Sequence, residues 1–490
     1  MQENQQVESD PSIAIIGAGF SGIAAAIQLR KAGFAKLTIY EKGDGPGGVW
    51  RDNTYPGAAC DIPSSLYSYS FEQRTDWSKK FPGQPEILAY LKSCVEKYEL
   101  APHFRPRVEI ASATYGESDH EWQLRTVDGE TMHHRFVIFA CGQLNRPLTP
   151  DLPGHRTFHG PAFHSARWNH EVDLRRKRIA VIGNGASAIQ FVPLIAGEAT
   201  ELCVFQRSPN WIIRKRDPVV SGSEQARLQR FPVLRIWRRL STYLVHESRF
   251  LLFRKGSPAG WLYGKYLRRH LNRRIQSEEL RGDLTPDFQV GCKRILLSGD
   301  WFKTLQKDNV RVNPSGAALI DPSSVTGGNG VRFEADVIIF ATGFESIDFL
   351  APISIRGRGG QLLSESWQDG AEAHLGITVA GFPNLFLLYG PNTNLGHNSI
   401  ILMIEAQARY IRQAIEYAQS ASLPALEVRP DIMRRSNQTV QKYADKTVWS
   451  GACQNWYKNA AGKIVNNWPR SSWRYLWQTR KPRKSDFLRD

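Results

Sequence analysis

Short apolar runs recur along the chain, each closing on a glycine-rich or polar turn. Residues 13–16 read IAII and enter Gly17-Ala-Gly-Phe-Ser-Gly22, an Ala-rich helical stretch IAAAIQLRKAG follows, and a second strand LTIYE ends at Glu41. The pattern returns as IAVI, Gly183-Asn-Gly-Ala-Ser-Ala188, an apolar helix and the strand ELCVF, which stops before Gln206-Arg207. FVIFACG at 136–142, DVIIFATG at 336–343 and NLFLLYGPN at 384–392 add further strands, and a helical stretch runs from about 398 to 417. Uninterrupted apolar strands of this kind belong to parallel sheets buried on both faces. Residues 215–290 read differently. Phe231, Leu234, Trp237 and Leu240 recur every third residue with Arg230, Arg235, Arg238 and Arg239 between them, which predicts an amphipathic helix. Its apolar side is expected to join the core beneath a solvated basic rim; weak peripheral contact with an anionic membrane is the alternative.

Strand, glycine turn and helix together form a dinucleotide-binding fingerprint. Gly17 makes the tight turn, Gly19 lets a pyrophosphate approach the backbone, and Gly22 lets helix and strand pack closely. The helix N-terminus offers free N–H groups to the phosphates. Glu41 lies near the ~20-residue offset at which an acidic residue binds ribose hydroxyls. In the second unit Gly183, Gly185 and Ala188 repeat the turn, but Arg207 stands at the offset of the acid. A guanidinium there suits a 2′-phosphate, so the first unit is expected to bind FAD and the second NADPH. The expected fold is α/β, with two Rossmann-like dinucleotide-binding domains, the second inserted in the first, and a helical insertion. The boundaries are 1–147 and 345–490 for the FAD domain, 148–214 and 291–344 for the NADPH domain, and 215–290 for the insertion.

Composition changes this picture at two points. The net charge of +16 suggests polyanionic partners, but 214–281 holds 17 basic and 5 acidic residues, and 470–490 holds 7 and 2, so the remaining framework is almost balanced. No nucleic-acid partner is expected. Six cysteines, at 60, 94, 141, 203, 292 and 453, show neither CxxC nor CxxxxC spacing, so no metal site or redox dithiol is expected and a reducing compartment is the simple reading. A polar N-terminus without a signal-peptide core, and no apolar run near ~18 residues, point to the cytoplasm.

Two longer motifs carry a resemblance. Phe158-His-Gly160, followed by His164 and Trp168, fits FxGxxxHxxxW; Gly47-Gly48-Val-Trp50 leads to Tyr55-Pro56-Gly57 and Asp61. The sequence resembles the type I Baeyer–Villiger monooxygenases, class B flavin-dependent enzymes, from about Ser12 to Trp473. Asn169 stands where that family commonly has Pro or Asp, a departure that bears on substrate subtype. The resemblance implies insertion of one oxygen atom from O2 beside a ketone carbonyl, through a C4a-peroxyflavin, to give an ester or lactone. It assigns Arg294 as the active-site arginine and Asp61 as the carboxylate holding it. It implies FAD contacts at Asp61, Tyr67 and Val108 and nicotinamide-nucleotide contacts across 184–190, including Gln190, while Gly48 and Trp50 are candidate FAD contacts from their place in the glycine-pair loop near the flavin motif. Lys293 joins Arg207 as a 2′-phosphate contact. Phe158, Gly160, His164 and Trp168 become the fingerprint at the domain linker, and Trp456-Tyr457-Lys458-Asn459 with Asn466-Asn467-Trp468-Pro469 the loop that closes over substrate. Trp50 also suits a core position, and His164 a histidine bonded to backbone. The alternative reaction on the same scaffold is N- or S-oxygenation. Which ketone is oxidised, aryl, cyclic, steroid or long-chain, does not follow from the sequence, and neither does the oligomeric state.

Overall fold

The computed structural model describes residues 10–451, 453 and 455–488. Residues 1–9, most of the polar N-terminus read above, lie outside them. Ten strands form two parallel sheets. In chain order they are β1 (Ile13–Ile16), β2 (Leu37–Glu41), β3 (Phe104–Pro106), β4 (Phe136–Phe139), β5 (Ala162–His164), β6 (Arg178–Ile182), β7 (Glu201–Phe205), β8 (Val310–Asn313), β9 (Val337–Phe340) and β10 (Leu385–Leu387). The first sheet has the order β10-β4-β1-β2-β3 and the second β8-β7-β6-β9-β5. The second sheet is thus made by chain that leaves the first after β4 and returns at β10.

Alternation along the strands explains the layers. Ile13 and Ile15 point into a core shared with α1 (Phe20–Lys31), whereas Ala14 and Ile16 face a four-stranded sheet carrying Ile110, Trp122 and Leu124. The second sheet repeats this: Ile179 and Val181 pack on α2 (Ala188–Ile195), and Ala180 and Ile182 on a three-stranded sheet with Ile320, Val325 and Phe333. The duplication extends to single atoms. Gly17 and Gly183 have φ of +105° and +109°, and a Cβ on either would stand 2.7 and 2.4 Å from the carbonyl oxygens of Ala140 and Ala341, where β4 and β9 end. Only glycine fits both the dihedral and the gap.

The insertion is helical, as expected, with α3 (Gly222–Arg230), α4 (Pro232–Ser248) and α5 (Pro258–Arg274). Its orientation corrects the sequence expectation. Phe231, Leu234, Trp237 and Leu240 do not enter the core: Trp237 is 64% exposed and Leu234, the best covered, 37%. α4 turns its polar side inward instead. Arg239 donates to the carbonyls of Ser65 (2.9 Å) and Ser68 (3.0 Å), and His246, buried, donates from Nδ1 to the carbonyl of His397 (3.1 Å). Backbone carbonyls left over in the first unit are satisfied by α4, which fixes which side faces in.

After β10, α6 (Ile400–Ser420) packs along α1, and α7 (Ser472–Gln478) lies on α6. Among the described residues no helix is long and apolar enough to cross a membrane.

Candidate active site

One cavity of about 1130 Å³ runs between the two parallel sheets and is lined from both. From the first unit come Gly17, Gly19, Glu41, Gly48, Trp50, Asp61, Tyr67 and Val108; from the second Gly185, Gln190, Arg207, Lys293 and Arg294. Residues 77 to 277 positions apart thus share a wall. Gly22, Gly183 and Ala188 lie behind it, where they set the turns: a Cβ on Gly22 would stand 1.9 Å from the carbonyl oxygen of Gly17, and Ala188 is fully buried at the start of α2.

The first glycine turn meets the test for a dinucleotide. Gly19 caps α1 with no side chain over its N-terminus, and Gly48 is its closest neighbour across the gap. Glu41 is buried at the end of β2, where its carboxylate accepts from the N–H groups of Ala18 and Gly43, both at 2.8 Å, and pairs with Arg51 at 3.0 Å. Trp50 donates from its indole to the hydroxyl of Tyr67 (3.1 Å) and meets that ring edge-on, so both flat side chains are held at the cavity. The second unit ends in cations. Lys293 donates to Ser208 Oγ at 2.5 Å, and its pKa is lowered by burial and by the neighbouring charge of Arg207. Neither cation forms an ion pair among the described residues, an arrangement that fits a phosphate dianion.

Arg294 and Asp61 join the units. The guanidinium donates from Nε and Nη2 to the two carboxylate oxygens, both at 2.7 Å. Burial opposes the charge on Arg294, and the Asp61 carboxylate outweighs it, so the pKa rises above the ordinary arginine value. The arginine is placed by its own segment: Leu296–Leu297 pairs in parallel with Ile212–Ile213, and Trp449 donates from its indole to the carbonyl of Gly291 (3.1 Å). A second bridge is Gln190, whose side-chain oxygen accepts from the N–H of Ala59 (2.9 Å).

The structure also corrects the cysteine reading. Cys292 and Cys453 form a disulfide with Cα atoms 6.5 Å apart, joining the segment that carries Arg294 to the C-terminal loop. A separation of 161 residues hides such a pair from any spacing rule.

The fingerprint residues Phe158, Gly160, His164 and Trp168 do not line the cavity. His164 ends β5, the edge strand of the second sheet, so this part of the expected linker is sheet. Its Nδ1 accepts from the N–H of Ala166 (3.1 Å), and burial lowers its pKa to about 4, so the ring is neutral. Trp168 packs edge-on against Phe163 and against Phe191 of α2, which in turn meets Tyr55 of the YPG motif. In the C-terminal loop Trp456, Lys458 and Asn459 line the cavity, while Tyr457, Asn466, Asn467 and Trp468 are buried around it.

Sequence reasoning missed Tyr389 and Asn394. Tyr389 donates to Asn394 Oδ1 at 2.7 Å, and both line the cavity near Arg294. Burial raises the pKa of Tyr389 above the phenol range and that of Tyr457 to about 12, with Arg294 partly offsetting each, so both stay protonated donors. Their one signal is that β10 ends in a polar turn at the level where β1 and β4 end.

Comparison with known proteins agrees with this geometry. A family model described as pyridine nucleotide-disulphide oxidoreductase matches residues 14–232. A Baeyer-Villiger monooxygenase of Pseudomonas aeruginosa is 42% identical over 472 residues, 96% of this chain and 89% of that protein. The crystal structure of cyclohexanone monooxygenase from Rhodococcus sp. Phi1 bound to NADP+ matches with a TM-score of 0.86 at 28% identity, covering 96% of either chain. The OTEMO complex with FAD and NADP gives 0.87 at 26% identity, over 96% of this chain and 97% of that one. Similarity that runs the length of the molecule and includes both nucleotide turns settles the question of kinship: the chain belongs to the Baeyer–Villiger monooxygenase family.

Proposed function

We infer that the protein uses NADPH and O2 to insert one oxygen atom beside the carbonyl of a small-molecule ketone, yielding an ester or lactone, with FAD as its bound cofactor. FAD held in this cavity would supply the redox chemistry that activates oxygen. The chain's own residues supply binding, orientation and charge. In this reading the turn at Gly17, Gly19 and Gly22, with Glu41, Gly48, Trp50, Tyr67 and Val108, holds FAD. Gly183, Gly185, Ala188, Gln190, Arg207 and Lys293 hold NADPH. Phe349, Leu350, Ile353 and Trp456 provide an apolar wall for the ketone.

The observation that carries the reading is the Arg294–Asp61 pair in a cavity reached by both glycine turns. Oxygen attack on a ketone places negative charge on the former carbonyl oxygen, and a fixed cation in a poorly solvated wall stabilises it without reorganising. Asp61 keeps the guanidinium charged and aimed. N- or S-oxygenation, the alternative, creates no such oxyanion on the substrate and leaves the pair without a task. A cytoplasmic setting is proposed on the four free thiols Cys60, Cys94, Cys141 and Cys203, and among the described residues the Cys292–Cys453 disulfide is the one feature that runs against it.

Arg294→Ala tests the assignment. The variant should retain FAD and still be reduced by NADPH, while ester formation from a ketone panel is lost; ester formation at the parent rate would refute the role.

A further inference from the structure

Among the described residues the outer face of α4 has no partner. Val233, Ile236, Trp237, Leu240 and Leu244 fall on one stripe at helical spacing, and each is between 44% and 74% exposed. Isolated exposed apolar residues need no explanation, but a continuous stripe marks a surface that is covered in use. Beside it runs a groove of about 570 Å³ lined by Leu66, Phe71, Ile236, Leu240, Leu402 and Leu476. Leu476 belongs to α7, whose Trp473 and Trp477 are 55% and 61% exposed. The two helices are tied together: Glu247 accepts from the N–H of Ser472 at 2.8 Å, and the Ser472 hydroxyl donates to the Tyr243 hydroxyl at 3.2 Å. The two segments that hold the chain's excess positive charge, 214–281 and 470–490, therefore meet in space along an apolar seam. Exposed cations surround it in sequence, among them Arg227 and Arg230 before α4, and Arg254, Lys255, Lys265 and Arg268 after it.

We propose that this face, α4 with the neighbouring surface of α7, docks on an anionic phospholipid bilayer. The chemistry selects that occupant. Apolar side chains enter the acyl boundary, indoles settle at the headgroup level, and arginine and lysine meet lipid phosphates. A second copy of the chain is a poor occupant, because a self-complementary contact would set one strongly basic segment against another. Nucleic acid would engage the cations and leave the stripe bare. Docking also bears on the active site. Glu247 at the end of α4 accepts from His397 Nε2 (3.3 Å) and Asn398 Nδ2 (3.0 Å), and Asn398 lines the catalytic cavity. The helix that meets lipid thus holds the cavity wall.

The test is co-sedimentation of the full-length holoenzyme with vesicles of pure phosphatidylcholine or of equal parts phosphatidylcholine and phosphatidylglycerol. Binding is expected to the anionic vesicles only and to weaken as salt is raised. Trp237→Glu should reduce it at least tenfold, Trp237→Phe should retain it, and both variants should keep bound flavin and parental NADPH oxidation in solution. No binding to the anionic vesicles, or undiminished binding by Trp237→Glu, overturns the proposal. So does a parent dimer that Trp237→Glu converts to monomer, which would make the face a self-interface. Duplex DNA bound equally by parent and Trp237→Glu, with no vesicle binding, would also overturn it.

Discussion

Burial works against the charge on Arg294, and what favours it most is a carboxylate from the other half of the molecule. Asp61→Asn preserves shape and removes that negative charge. The expected result is ester formation lowered on the order of 10²-fold, because the guanidinium loses its aim over the reacting atoms. Flavin content should be unchanged, and product yield per NADPH is the measurement. Lys293 and Arg207 make a different case, two neighbouring cations neither of which forms an ion pair among the described residues. Lys293→Ala should raise KM for NADPH by about 10–100-fold, the loss of one charge-assisted bond, and leave KM for NADH nearly unchanged. Equal effects on both nucleotides would remove the 2′-phosphate role. Arg207 was legible in the sequence because its offset from Gly183 is fixed by one strand and one helix. Tyr389 and Asn394 were not, because they reach the cavity only through the return of β10 to the first sheet, a long-range pairing that no local pattern encodes.

At the scale of elements, apolar runs predicted β1, β2, β4, β6, β7, β9 and β10, whose residues are largely buried on both faces, but not the edge strands β3, β5 and β8, which are partly exposed and carry no such run. α4 shows the limit of that logic. Periodicity finds an apolar face but not what covers it, and here the carbonyls of Ser65 and Ser68 draw the arginine side inward. The disulfide between Cys292 and Cys453 was illegible for a related reason: contact between distant loops is a property of the finished fold. α1 offers a sharper test of local packing. Gly22→Ala would place a methyl group 1.9 Å from the carbonyl oxygen of Gly17. Helix and turn would have to separate, at a cost of about 1–3 kcal/mol. The expected outcome is a lower unfolding midpoint together with loss of flavin absorbance, whereas full flavin retention would show that the turn tolerates the shift.

Across the whole molecule, His134, His164, His246 and His374 are buried, and burial lowers each pKa to about 4. The unfolded chain protonates these rings near the ordinary value of 6.5. Between those values the unfolded state binds more protons, so stability is full above pH 6.5 and falls as the pH drops towards 4. Asp283, Glu405 and Asp486, raised by burial, act in the opposite sense but start from the lower carboxylate range. Urea midpoints should therefore decline from about pH 7 to about pH 5, and a flat profile would contradict the buried neutral histidines. The order of the strands has a consequence for synthesis. β1 to β4 leave the ribosome with the outer edge of β4 unpaired and the flank of α1 bare, since β10 and α6 are translated only after the entire second sheet. The half begun first is finished last, and a nascent chain halted before Leu385 would expose a sticky sheet edge that only the completed C-terminal part can seal.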